Sequence, residues 1–150
     1  MTFKQRLYKF LVKNKAIEKM LKNRRERKHN KMIKTMHRYG YQINDILYST
    51  LNGEFVFYPL CGTLLGLIRE NDFIKYDDDM DYGILIDSDN DWLNLYNKLT
   101  KKGFKLHHYF ENDNTITEMA FRYKTVHVDF FYIDRRNKNK FLYYIIFFFG

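Results

Sequence analysis

Cysteine occurs once in this chain of 150 residues, at Cys61; proline occurs once, at Pro59, and glycine seven times. A single cysteine excludes a disulfide within the chain and fits a reducing compartment. Neither a CxxC nor an HxxxH spacing is present, which argues against a structural zinc site. No apolar run approaches the ~20 residues of a transmembrane helix, and no signal-peptide cleavage pattern follows the first hydrophobic segment. There is no internal repeat and no convincing interdomain boundary. Present instead are 45% hydrophobic and 29% charged residues, with aromatics at 19%. That balance describes one globular domain, long enough for a real core, with room for a tail.

The net charge of +8 is unevenly spread. Residues 1–38 hold 14 Lys and Arg against 2 Glu, a net +12, which leaves −4 for the remainder. A basic arm on an acidic body implies an anionic partner, with a membrane surface preferred to nucleic acid. Phe3, Leu7, Phe10, Leu11, Ile17 and Leu21 fall at roughly helical spacing among lysines, the pattern of a basic amphipathic helix. The charge run Asn23–Asn30 lacks proline and glycine and is expected to continue as helix. Residues 1–30 are therefore expected to form the arm and 31–140 the domain.

Met32, Ile33, Met36, Tyr39, Ile43, Ile46 and Leu47 predict a core-facing helix over 31–51, ending near Asn52-Gly53. Phe55–Leu60 reads as a buried strand, with Pro59 marking its end or an edge. A short helix is expected to about Arg69, then a loop, then a strand over about 80–86. Ser88 is placed to cap a helix over 89–101 closed by Gly103. Phe104–Phe110 and Thr115–Tyr123 predict a strand pair around Glu111–Asn114, and Val126–Ile133 a further strand interrupted by Asp129. Phe141–Phe149 is a nine-residue apolar tail, too short to span a bilayer. It is expected to be the start of a missing C-terminal part.

The chemistry concentrates in CGTLLGLIRENDFIKYDDDMDYGILI, residues 61–86. Asp77, Asp78, Asp79 and Asp81 put four carboxylates within five residues, tolerable only beside solvent or a cation. In an extended chain Asp79 and Asp81 share one face while Met80 and Tyr82 share the other. Two carboxylates so placed suit a hard cation, Mg²⁺ or Mn²⁺. An EF-hand loop counted from Asp77 fails, because Tyr82 stands where glycine is required and Ser88 where glutamate is. Gly62-Thr63, following a strand and opening a helix, suits a phosphate. Asp129 offers a third carboxylate for the metal or for a proton. His107, His108 and His127 read as surface or sheet histidines, and Cys61 as a small buried residue.

Cys61-Gly62-Thr63, Asp79-Met80-Asp81-Tyr82 and Val128-Asp129-Phe130, in that order, resemble the hG[GS], DhDh and hDh blocks of polymerase β-type nucleotidyltransferases. Within that superfamily, GTLLGLIRENDFIKYDDDMD and HVDFFYID are similar to the motifs of the LicD/fukutin-related family. Lys75-Tyr76 replaces that family's Pro-Trp, and Asp72 its loop glycine. The fold the resemblance implies is α/β (α+β), a nucleotidyltransferase-like mixed β-sheet flanked by helices. The activity it implies is metal-dependent transfer of a phospho-alcohol, of the phosphocholine or ribitol phosphate type, from a CDP-linked donor to a glycan or glycolipid.

On that resemblance Asp79, Asp81 and Asp129 would be catalytic and hold Mg²⁺ or Mn²⁺, with Asp77 and Asp78 secondary. Gly62, Thr63, Arg69 and Lys75 would bind substrate. The expected location is cytoplasmic, peripheral on the inner membrane face. Two alternatives stay open: nucleotidyl transfer from an NTP, and a truncated inactive family member that binds membrane or RNA.

Overall fold

A computed structural model describes Thr2, Lys4, Gln5 and residues 15–133. The apolar stretch Phe141–Phe149 and, in the N-terminal arm, residues 1, 3 and 6–14 lie outside the described residues. Helix α1 spans Lys15–Leu51 without interruption, so the charge run 23–30 is helical and joins the arm to the core-facing helix. The change along α1 is one of environment. From Lys15 to Asn30 its side chains are exposed apart from half-buried Ile17 and Leu21, whereas Met36, Gly40, Ile43, Leu47 and Leu51 are buried at helical spacing. Among the described residues no helix is long and apolar enough to cross a membrane.

Beyond α1 the order is β1 (Phe57–Pro59), α2 (Cys61–Arg69), β2 (Asp79–Leu85), α3 (Asp89–Lys101), β3 (Lys105–Asn112), β4 (Thr115–Tyr123) and β5 (Val126–Ile133). The five strands form one sheet in the order β1-β2-β5-β4-β3. β2 and β5 are parallel and every other neighbour pair is antiparallel. The result is the mixed α/β architecture expected of a nucleotidyltransferase-like fold.

Two strands differ from their expected form. β1 is a half-buried three-residue edge strand rather than a six-residue buried one, and Val56 is exposed. Proline lacks an N–H, so Pro59 is tolerated only at such an edge. β3 runs further toward β4 than expected, because Asp113 and Asn114 both take positive φ (48° and 58°) and close a two-residue hairpin. Glu111 and Asn112 thereby become strand residues paired with Ile116 and Thr115. Ser88 caps α3 through a capping box with Asp91, as its position predicts, and Gly103 follows at φ 90°.

The core lies on one face of the sheet. Met80, Tyr82 and Ile84 of β2, Val128 and Phe130 of β5, and Met119 and Phe121 of β4 pack with the buried stripe of α1 and with Trp92, Leu95 and Leu99 of α3. Strand alternation then turns Asp79, Asp81, His127, Asp129, Glu118 and Arg122 away from that core. The Tyr82 hydroxyl, carried into the core, donates to Asn44 Oδ1 of α1 at 2.9 Å.

Candidate active site

Helix α1 also fixes the loop that leads into the acidic run. The Phe73 ring packs on Gly40, where a Cβ would lie 2.6 Å from the ring. Tyr41 donates its hydroxyl to Asp72 Oδ1 at 2.8 Å, and the Phe73 N–H donates to the same oxygen at 2.7 Å. His37 Nε2 sits 3.1 Å from the Ile74 carbonyl, and His29 Nδ1 lies 3.0 Å from Asp78 Oδ2. Residues 72–78 are therefore held along the length of one helix.

The short helix α2 fixes the other side. Thr63, 1% exposed, accepts the Asp81 N–H on its hydroxyl oxygen at 2.9 Å, and the Leu60 N–H donates to the Asp81 carbonyl at 2.9 Å. Gly62 lies directly under the Asp77 carboxylate, which occupies the space any Cβ at that position would need. Gly66 has the same requirement toward backbone: a Cβ there would meet the Asp72 carbonyl oxygen at 2.5 Å and the Ile74 nitrogen at 2.9 Å. Both glycines thus bring the acidic loop against α2.

In the parallel pairing of β2 and β5, Asp81 stands directly opposite Asp129. Asp79, Asp81 and Asp129 each offer a carboxylate oxygen within 4.8 Å of the other two, and Asp77, Asp78 and Asp79 form a second such group. One oxygen of Asp129 and one of Asp77 are buried with no hydrogen-bond partner among the described residues. Burial first, then the charges of Asp79, Asp129, Asp77 and Glu118, push Asp81 up to about 8. Burial, Asp79 and Glu118 push Asp129 up to about 7. Burial and the adjacent Asp79 raise Asp77 to about 6. A cluster of anions that resists ionising, with orphaned oxygens, fits a divalent cation, and the all-carboxylate donor set fits Mg²⁺ or Mn²⁺.

The other expected residues fall differently. Arg69 is exposed on the last turn of α2, about 10 Å along the helix from Gly62 at 1.5 Å per residue. Lys75 is exposed in the loop before the acidic run. Cys61 keeps its proton: burial, followed by the charges of Asp81, Asp79 and Asp77, pushes the thiol up to about 11, which suits a packing residue rather than a nucleophile. The sequence does not single out Glu118 or Arg122, and it reads His107, His108 and His127 as surface or sheet histidines rather than site residues. They lie on β3, β4 and β5 and come together only through strand pairing, so no local motif marks their meeting.

The mixed sheet, the β2–β5 carboxylate pair and the glycine-led helix beside it define an α/β protein of the nucleotidyltransferase-like class. The profile of the LicD/FKTN/FKRP nucleotidyltransferase domain matches residues 54–149, and the chain belongs to this family. A search of curated proteins found no match. Family membership carries the coarse assignment, a transferase.

Proposed function

We propose that this protein transfers a phospho-alcohol from a CDP-linked donor to the hydroxyl of a cell-surface glycan. The observation that supports this most strongly is the convergence of Asp79, Asp81 and Asp129 from two paired strands, beside the N-terminus of α2, in a chain of the LicD family. Asp79, Asp81 and Asp129 would hold Mg²⁺ or Mn²⁺, with Asp77 and Asp78 beside them. Such an ion, when bound, neutralises phosphate charge and stabilises the charge that develops during in-line displacement.

The chain's own groups do the remaining work. Thr63, through the Asp81 N–H, fixes the strand from which the two aspartates project. The acceptor oxygen attacks the phosphorus that bears the alcohol, a new P–O bond forms, the P–O bond to CMP breaks, and CMP leaves. The hydroxyl proton passes to a carboxylate of the cluster, for which Asp129, on its own strand, is best separated from the acidic loop.

Nucleotidyl transfer from an NTP would use the same carboxylates, and the leaving group distinguishes the two. Incubation with Mg²⁺, a panel of CDP-alcohols and the four NTPs is expected to release CMP from at least one CDP-alcohol. Pyrophosphate release from an NTP, with no CMP from any CDP-alcohol, would overturn the proposal.

A further inference from the structure

A second polar constellation lies beside the carboxylates on the same face of the sheet. Pairing sets Asp79 on β2 opposite His127 on β5, and His127 opposite Arg122 on β4. Arg122 is therefore two strands from Asp79, about 10 Å at the usual strand spacing. In the next row Asp81 faces Asp129, Asp129 faces Ala120, and Ala120 faces His108 of β3.

Hydrogen-bond logic fixes the protonation of this group. Arg122 Nε donates to His127 Nε2 at 3.0 Å, and Arg122 Nη2 lies 2.8 Å from His107 Nε2. A guanidinium only donates, so both imidazole Nε2 atoms accept and both rings are neutral. The remaining proton of His107 sits on Nδ1 and faces His108 Nδ1 at 2.7 Å, which leaves His108 protonated on Nε2, 3.2 Å from Glu118 Oε1. Packing and the Arg122 charge hold His107 below the usual histidine range, in keeping with this assignment. Among the described residues no carboxylate forms an ion pair with Arg122. Two neutral rings orient its planar fork and leave its charge unspent, with Nη1 and one Nη2 hydrogen still available.

We propose that Arg122, oriented by His107 and His127, forms a phosphate-binding subsite that takes the second phosphate of a diphosphate donor whose first phosphate lies at the carboxylate cluster. A guanidinium fork matches two phosphate oxygens. The assignment of that phosphate to the donor rests on the transfer reading above. Arg122 is thus a substrate-binding residue, and His107 and His127 are positioning residues.

A ³¹P NMR titration with inorganic pyrophosphate, with no divalent cation present, tests the subsite apart from the carboxylates. Arg122→Gln is expected to weaken pyrophosphate roughly tenfold or more, the scale of a charge-assisted bidentate contact. Arg122→Lys, which keeps the charge and loses the fork, is expected to weaken it severalfold. His127→Gln, whose amide oxygen can still accept from Arg122, is expected to bind better than His127→Ala, a rescue that a merely structural role would not produce. Unchanged pyrophosphate affinity in folded Arg122→Gln overturns the proposal. Should that variant fail to fold, unchanged affinity in Arg122→Lys does so.

Mn²⁺ binding, followed separately by its electron paramagnetic resonance signal, is expected to be the same in wild type and in the Arg122 variants. Wild type that binds no Mn²⁺ yet shows Arg122-dependent pyrophosphate binding would overturn the metal reading and support the subsite. Added Mn²⁺ is expected to tighten pyrophosphate more in wild type than in Arg122→Gln, because one diphosphate then spans both sites. Equal tightening would overturn the assignment to the donor's diphosphate.

Discussion

Asp81 carries the sharpest conflict between folding and chemistry. Its carboxyl is pushed up to about 8 by burial and by four neighbouring carboxylates. A folded-state value above the unfolded one means that the native chain binds the proton more tightly. The site therefore favours folding at low pH, and that contribution falls as pH rises from the ordinary carboxylate range through about 8. Metal-free Asp81→Asn is thus expected to gain stability over wild type between pH 5 and 8.5, at no more than about 1.4 kcal/mol per pH unit. Thermal or urea unfolding of both proteins across that range checks this. A constant difference would show that Asp81 is not under the strain described. Asp79, Asp81 and Asp129 were legible in the sequence because their alternation with Met80, Tyr82, Val128 and Phe130 is a strand pattern with the wrong chemistry on one face. The structural task of Thr63 was not legible, since its hydroxyl accepts from an N–H eighteen residues away.

At the scale of elements, the site depends on how α1 and α2 grip the loop between Arg69 and Asp79. Gly66→Ala places a methyl group against two backbone atoms, the Asp72 oxygen and the Ile74 nitrogen, which cannot rotate aside. Overpacking costs of roughly 1–3 kcal/mol exceed the helix-propensity gain of about 1 kcal/mol. The variant is expected to be less stable than wild type, and to bind Mn²⁺ more weakly because the acidic loop must shift. Urea titration and a Mn²⁺ titration check both parts, and wild-type values in both would show that the close approach is not needed. The elements read most accurately from sequence carry their own end signals: Ser88 and Gly103 around α3, and the Val126–Ile133 run of β5. The ends of β1 and β3 were misjudged because pairing sets them. β1 stops where its partner strand and proline allow, and β3 extends through polar residues because the Asp113-Asn114 turn brings Thr115 and Ile116 opposite.

For the whole molecule, the strand order decides what the chain can do. Placing β5 between β2 and β4 sets Asp129 against Asp81 and His127 against both Asp79 and Arg122, while α1 and α3 cover the opposite face. The ordered family blocks made the first of these meetings legible, since they imply a known sheet. The Arg122 group was not legible, because its members come from three strands and only His127, the first residue of HVDFFYID, lies in a block quoted. In the proposed reaction the β2–β5 carboxylates hold the cation used in transfer from a CDP-alcohol. CMP release by wild type, compared with folded Asp79→Asn and Asp81→Asn at saturating Mg²⁺, tests it most directly. Wild type is expected to show Mg²⁺-dependent release and either variant a loss of at least a thousandfold, about 4 kcal/mol of transition-state stabilisation. Full turnover by either asparagine variant would contradict it.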